Sequence, residues 1–304
     1  MTETAAGRGG TAVAALWMTG AIASFSLLAV AGREVSPALD TFEIMLFRSG
    51  MGLVLVTAAL AAKGRLGEAR PRRLPLHVTR NLVHFAGQNL WFYALTVLPL
   101  AQVFALEFTS PLWVLLLAPV FLGERLTRRG LVAGLIGFGG VLLVARPEFG
   151  NLHPGLVAAA LCAVCFAVTS LLTKRLTRTQ PVIAILFWLN GMQLLFAVAI
   201  VGWDGEMPVP TGAQVPWLLL IGVTGLAAHW CLTSALNSAP ASTVMPMDFA
   251  RLPVIAIVGW AAYGEALDPL VFLGAALIFG GNLLSLRRND RSPMATERSH
   301  GGVD

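Results

Sequence analysis

The chain has 304 residues, 56% of them hydrophobic and only 12% charged, with a mean hydropathy of +0.74. Soluble domains carry charge on roughly a quarter of their residues, so composition excludes an ordinary soluble protein. The net charge of +5 does not point to nucleic acid in such a chain, because membrane proteins keep basic residues in their cytoplasmic loops.

Apolar runs of about 17–24 residues, long enough to cross a hydrocarbon core of about 30 Å as helices, fill most of the sequence. Residues 1–10 read as a short polar, disordered tail. The first span is expected at Thr11 to Ala31. Its Ala29-Val30-Ala31 resembles a cleavage site, but the run is too long for a signal peptide and more spans follow, which predicts a retained helix. Further spans are expected at Leu39–Ala62, Pro75–Val97, Leu100–Phe121, Gly130–Ala145, Leu152–Thr173, Val182–Val201, Gln214–Leu236, Ala241–Tyr263 and Pro269–Leu286, ten in all, with a polar tail over 287–304.

These spans are two copies of one unit. A constant shift of 141 residues, as from Pro99 to Pro240, also lays Glu107 on Asp248, Phe108 on Phe249, Gly123-Glu124 on Gly264-Glu265 and Thr127 on Asp268. The same shift carries Phe25 to Phe166 and Gly139-Gly140 to Gly280-Gly281, so the duplication covers nearly the whole chain, with repeats expected at 11–146 and 152–286. Thr127 and Asp268 each stand just before an apolar run, as helix N-caps do, and Pro269 takes the first helical position. Each Gly-Glu dipeptide reads first as turn chemistry at a helix end.

Basic residues decide the orientation. Arg8, the 63–73 cluster, Arg125, Arg128 and Arg129, Lys174, Arg175 and Arg178, and the tail arginines all fall on one side, whereas the opposite loops hold just Arg33 and Arg146. Positive residues stay inside, so both termini are expected in the cytoplasm. Five spans per half is an odd number, and the second half must then enter the membrane the other way up. The expected fold is all-α and integral to the membrane, ten transmembrane helices as two inverted five-helix repeats. Alternating-access carriers are built this way, with their sites at mid-membrane between the halves.

An ionised side chain at the centre of a span costs about 2.5–3.5 kcal/mol on insertion scales, so the exceptions carry information. Glu107 and Asp248 lead, because the duplication sets them at equivalent positions on opposite sides of one axis. Pro111, four residues beyond Glu107, removes a helical donor to the Glu107 carbonyl, and Pro246 and Pro253 disturb the helix around Asp248. In a functional reading these carboxylates bind a cationic group or carry a coupling proton. In a structural one, Asp248 and Arg251, three apart, neutralise each other. Arg48 lies deep in its span, placed to bind a carboxylate or phosphate or to pair with Glu43. Arg80 could bind such an anion as well, but it is close to a helix end and is expected to snorkel to the headgroups.

Within the third span, Arg80, His84, Gln88 and Trp91 recur at helical spacing as a polar stripe ending in an aromatic plate. That face suits a planar or amphipathic organic molecule, or else hydrogen bonds between helices. His229, in the eighth span, is a further ionisable exception. The substrate site expected from these arguments is Arg48, His84, Gln88, Trp91, Glu107, Asp248 and Arg251, with Glu107 and Asp248 as coupling candidates.

Cys162, Cys165 and Cys231 all lie inside spans, and the Cys162/Cys165 pair reads as two packing residues on one helix face. There is no GxxxxGK[ST], HExxH, GxSxG or clustered His/Cys ligand set, so no ATP site, metal, cofactor or enzymatic activity is expected.

The basic turn GERLTRRG, its acidic counterpart GEALDP, and the phrases ALEFTSPLWVLLLAPVFLGE and PMDFARLPVIAIVGWAAYGE resemble the EamA-like branch of the drug/metabolite transporter superfamily over residues 11–286. The resemblance implies a secondary carrier of the bacterial inner membrane with a central cavity. It implies export of amino acids or related metabolites, with uptake of a vitamin or cofactor such as riboflavin or S-adenosylmethionine as the alternative. A non-transporting membrane scaffold or receptor is the reading from another class. The expected partners are the small molecule, a proton if transport is coupled to one, and membrane lipid, with no nucleic acid; the oligomeric state is not legible.

Overall fold

The computed structural model describes residues 2–70, 72–122, 128–146, 153–204, 209–240, 244–266 and 268–286. All regular structure in them is helical: α1 (Thr2–Val35), α2 (Thr41–Ala62), α3 (Leu74–Val97), α4 (Leu100–Glu107), α5 (Ser110–Leu122), α6 (Arg128–Ala145), α7 (Pro154–Thr177), α8 (Val182–Val201), α9 (Val215–Ser238), α10 (Arg251–Tyr263) and α11 (Pro269–Leu286). A 3-10 segment, Met245–Ala250, leads into α10. Residues 2–10, expected as a disordered tail, continue the helix of α1. The Gly123-Glu124 turn, Thr127 and the tail 287–304 lie outside the described residues.

Among the described residues, six segments are long and apolar enough to cross a membrane: Gly10–Val35, Thr41–Ala62, Leu100–Leu117, Pro154–Thr177, Val182–Val201 and Val215–Ser238. The helix α3 is not among them, because the polar stripe expected on it dilutes its hydropathy. Shorter apolar runs, Gly134–Val144, Arg251–Tyr263 and Pro269–Gly281, occupy α6, α10 and α11.

The fourth expected span is broken. α4 ends at Glu107 and α5 starts at Ser110, with Pro111 at its second position, where a helix needs no N–H from it. The ninth is a 3-10 segment holding Asp248, then α10 from Arg251. Ser110 and Arg251 are register partners, so both halves interrupt the same helix at the same place, just after an acid.

Across the bundle, α1 packs on α9, α7 on α3, α2 on α8, and α6 on α11. In register, α1 against α9 is the image of α7 against α3, while each of the other two contacts is its own image. The halves therefore interlock about a pseudo-two-fold axis instead of standing side by side. Close approach relies on small residues: a Cβ added at Gly87 would come within 2.7 Å of the Cys165 Cβ. All three cysteines are free, and Cys165 serves as packing between α3 and α7.

The helix ends follow local chemistry. Asp40 and Glu43 form a capping box on α2, with Asp40 Oδ1 accepting from the Phe42 and Glu43 N–H groups at 2.8 Å and Glu43 Oε2 from the Asp40 N–H at 2.8 Å. That role takes Glu43 away from Arg48, its expected partner. Asp268 Oδ1 accepts from the Leu270 N–H at 2.9 Å and caps α11. Gly264 ends α10 at φ 64°, donating to the Trp260 carbonyl at 3.2 Å while the Glu265 N–H reaches the Gly259 carbonyl at 3.1 Å.

A side chain at Gly264 is strained whatever space surrounds it, so Gly264→Ala is expected to destabilise the protein by about 1–2 kcal/mol. Thermal unfolding in detergent reads this as a lowered midpoint. Gly139→Ala, on a helical position with open space around it, is expected to leave the midpoint unchanged or raise it.

Candidate functional site

Both helix breaks bring irregular backbone into the middle of the bundle, and there the carboxylates meet one cation. Arg251 Nη2 donates to Glu107 Oε1 at 2.6 Å and to Asp248 Oδ2 at 2.6 Å. Trp91 Nε1 donates to the other Glu107 oxygen at 2.7 Å. The guanidinium also lies over the rings of Phe25 and Phe104, each 4.8 Å from its centroid, and of Phe108 at 5.3 Å. Arg251 is 1% exposed and Glu107 8%. Two acids from different halves are thus held in hydrocarbon by a shared counter-ion and three aromatic faces. Asp248 Oδ1 is left with no hydrogen-bond partner.

These groups line a partly open cavity of about 70 Å³ in the middle of the bundle. Much of its wall obeys the repeat: Phe25 faces Phe166, Gln88 His229, Glu107 Asp248 and Ser110 Arg251, each pair separated by the same shift. The remaining polar wall comes from Arg80 and His84 on α3, from Thr169, Ser170 and Thr173 on α7 and from Thr233 on α9. His84 stands edge-on to His229 with ring centroids 4.8 Å apart, and neither His84 nitrogen has a hydrogen-bond partner.

The site residues expected from sequence divide accordingly. His84, Gln88, Glu107, Asp248 and Arg251 are on the cavity wall. Trp91 is not: it stands behind Glu107, its ring edge-on to Phe92 and Phe104 at 5.2 and 6.0 Å. Its indole N–H holds a carboxylate, and the rings that line the cavity are those of Phe25, Phe108 and Phe166. Arg48 is also off the wall, buried against α9 where a Cβ on Gly225 would meet its Nε at 2.7 Å. Arg80 does the opposite of what its position suggests. It is 2% exposed and turned inward, with Nε donating to Thr173 Oγ1 at 3.1 Å and Nη1 to Asn81 Oδ1 at 2.7 Å. Its face of α3 packs on α7, where Thr173 accepts its Nε–H and holds the guanidinium inside the bundle. The missed wall residues Phe166 and His229 carried a signal, since each falls in register with another wall residue.

Between the acid cluster and one face of the bundle lies a dry layer of Leu95, Leu100, Val103 and Phe104. Beyond it Arg33 pairs with Glu265 and donates through Nη2 to the Leu98 carbonyl at 3.0 Å, while Glu265 accepts from the Leu100 N–H at 3.1 Å. On the other face Lys174 Nζ donates to the carbonyls of Leu236 at 2.6 Å and Ala239 at 2.9 Å. The shift carries Arg33 to Lys174 and Leu98 to Ala239, so both faces are tied by the same device. Arg146, the other basic residue of the Arg33 side, pairs with Asp268. Among the described residues no group of His, Cys, Asp and Glu is arranged to hold a metal ion.

A profile of the EamA-like transporter family matches residues 12–146 and again 153–287. The chain is 31% identical to a riboflavin transporter of Rhizobium johnstonii, over 92% of this chain and 94% of that protein. It is 24% identical to an S-adenosylmethionine uptake transporter of Rickettsia bellii, over 88% of this chain and 91% of the other. Identity to a pseudopaline exporter of Pseudomonas aeruginosa is 28%, over 84% and 89% of the two chains.

Arg251→Met strands two buried carboxylates, and removing one partner of such a pair costs about 3–5 kcal/mol. Chemical denaturation in detergent is expected to show that loss. The triple variant Arg251→Met, Glu107→Gln, Asp248→Asn is expected to recover part of it, since no charge is then left unpaired.

Proposed function

The chain belongs to the EamA-like transporter family, and from that premise we propose that it is a secondary-active carrier working by alternating access around the Glu107–Arg251–Asp248 cluster. The observation that carries the reading is the cavity itself, because register-related residues of both halves converge on it. A scaffold has no use for such a cavity, and its carboxylates would be packed dry. All ten expected segments are read as membrane spans, the polar α3 and the shorter helices included. The Lys174 face is read as cytoplasmic in the inner membrane, since the 63–73 cluster and Arg175 and Arg178 lie there.

The substrate is a heteroaromatic metabolite of vitamin or cofactor size, and the direction is uptake. Two of the relatives named above, a riboflavin transporter and an S-adenosylmethionine uptake transporter, support this. So do the rings of Phe25 and Phe166 and the hydroxyls of Ser110, Ser170 and Thr173, all of which line the cavity. Export is the second reading, favoured by the likeness to the pseudopaline exporter. Two acids and one arginine leave the cluster with one formal negative charge, which takes a proton or a cationic group; proton coupling through Asp248 follows. The ties of Arg33 and Lys174 are the two gates, released in turn as one half rocks against the other.

Proteoliposomes holding the purified protein are expected to take up radiolabelled riboflavin saturably under an acid-outside gradient, and Glu107→Gln to reduce uptake to background. Undiminished uptake by folded Glu107→Gln overturns the assignment. For the gates, Val103→Cys in a chain freed of its three native cysteines is expected to resist a membrane-impermeant maleimide. Adding Arg33→Ala is expected to make it reactive; continued resistance removes Arg33 from that role.

A further inference from the structure

Three side chains in and behind the cavity wall break the repeat. Arg48, Arg80 and His84 fall in register on Leu189, Ile221 and Gly225 of the second half. The shared scaffold therefore folds with apolar residues at those places, and folding alone does not require polar ones. Arg48 and Arg80 are each 2% exposed. Among the described residues no carboxylate lies within ion-pair distance of either. Arg48 Nε and Nη1 and both His84 nitrogens have no hydrogen-bond partner. A guanidinium buried in hydrocarbon without a counter-ion is costly, and a site retains one when something else supplies the anion. The opposite end of the cavity has two acids to one base, so the cavity is basic at its α3 wall and acidic at the helix breaks.

We propose that the α3 wall is an anion subsite, and that the preferred substrate carries a carboxylate or phosphate group that docks on Arg80. Thr173 and Asn81 hold the planar guanidinium at Nε and Nη1, which leaves its remaining N–H groups for the incoming oxygens. His84 adds an unpartnered imidazole on the same wall. Arg48, off the wall and buried against Gly225 of α9, acts as a positioning residue through its charge. The inference rests on the carrier reading of the cavity but not on the identity of the flavin.

Two matched pairs test it by calorimetric binding to the purified full chain: riboflavin against flavin mononucleotide, and nicotinamide against nicotinate. The charged member of at least one pair is expected to bind roughly tenfold tighter or more, as charge-assisted bonds to a buried guanidinium do. Arg80→Gln is expected to erase that preference, Arg80→Lys to keep part of it, and Arg48→Gln to weaken the charged member alone. If Arg80→Gln does not fold, the other two variants decide. A gain for flavin mononucleotide identifies a phosphate subsite, and a gain for nicotinate a carboxylate one. Riboflavin bound with no gain in either pair overturns the subsite and leaves the carrier reading intact. Nicotinate preferred with neither flavin bound keeps the subsite and overturns the flavin class. Binding of none of the four by folded protein, or a preference unmoved by Arg80→Gln, overturns the subsite.

Discussion

One guanidinium carries the structure's central constraint. Arg251 answers Glu107 from the first half and Asp248 from the second, and neither acid has another cation among its hydrogen-bond partners. Because the two carboxylates sit at helix breaks in register, their shared arginine ties the two halves together at this point. The aromatic faces of Phe25, Phe104 and Phe108 around Arg251 replace the water that such a charge would otherwise need. The cluster thus both ties the halves together and forms the acidic wall of the cavity.

Symmetry supplies the frame, and departures from it supply chemistry. Ser110 stands where Arg251 does in the other half, so a single cation serves two equivalent acids. Had both positions been arginine, the cluster would be neutral with nothing left to bind. Likewise α3 bears Arg80 and His84 where α9 bears Ile221 and Gly225, giving one wall donors that the opposite wall lacks. An inverted repeat of this kind can present the same path to both faces while still gripping one end of an asymmetric molecule. The ties of Arg33 and Lys174 keep the symmetric part, which is what alternation between two faces demands.

Much of this was legible because the repeat register is a spatial statement: positions 141 apart, such as Glu107 and Asp248, end up across one axis. Arithmetic of that sort found the acids and would also have found Phe166, His229 and the Lys174 tie. It failed where tertiary cover decides. Distance from a helix end sent Arg80 toward the headgroups, but Thr173 on α7 holds it inside the bundle. Stripe spacing put Trp91 on the wall, although it stands behind the wall and its indole N–H reaches Glu107 from there. Glu43 was a plausible partner for Arg48 until the capping chemistry at Asp40 claimed it. A continuous apolar run hid the break after Glu107, since a proline alone does not tell a kink from two helices.

The claim that Glu107 and Asp248 act as one unit through Arg251 is tested most directly by a transport double-mutant cycle. Initial uptake rates would be measured for Glu107→Gln, Asp248→Asn and the double variant, each shown to be folded. Rates that fall no further in the double variant than in the weaker single one are expected, as for residues sharing one function. Losses that multiply would show two independent sites and contradict the account.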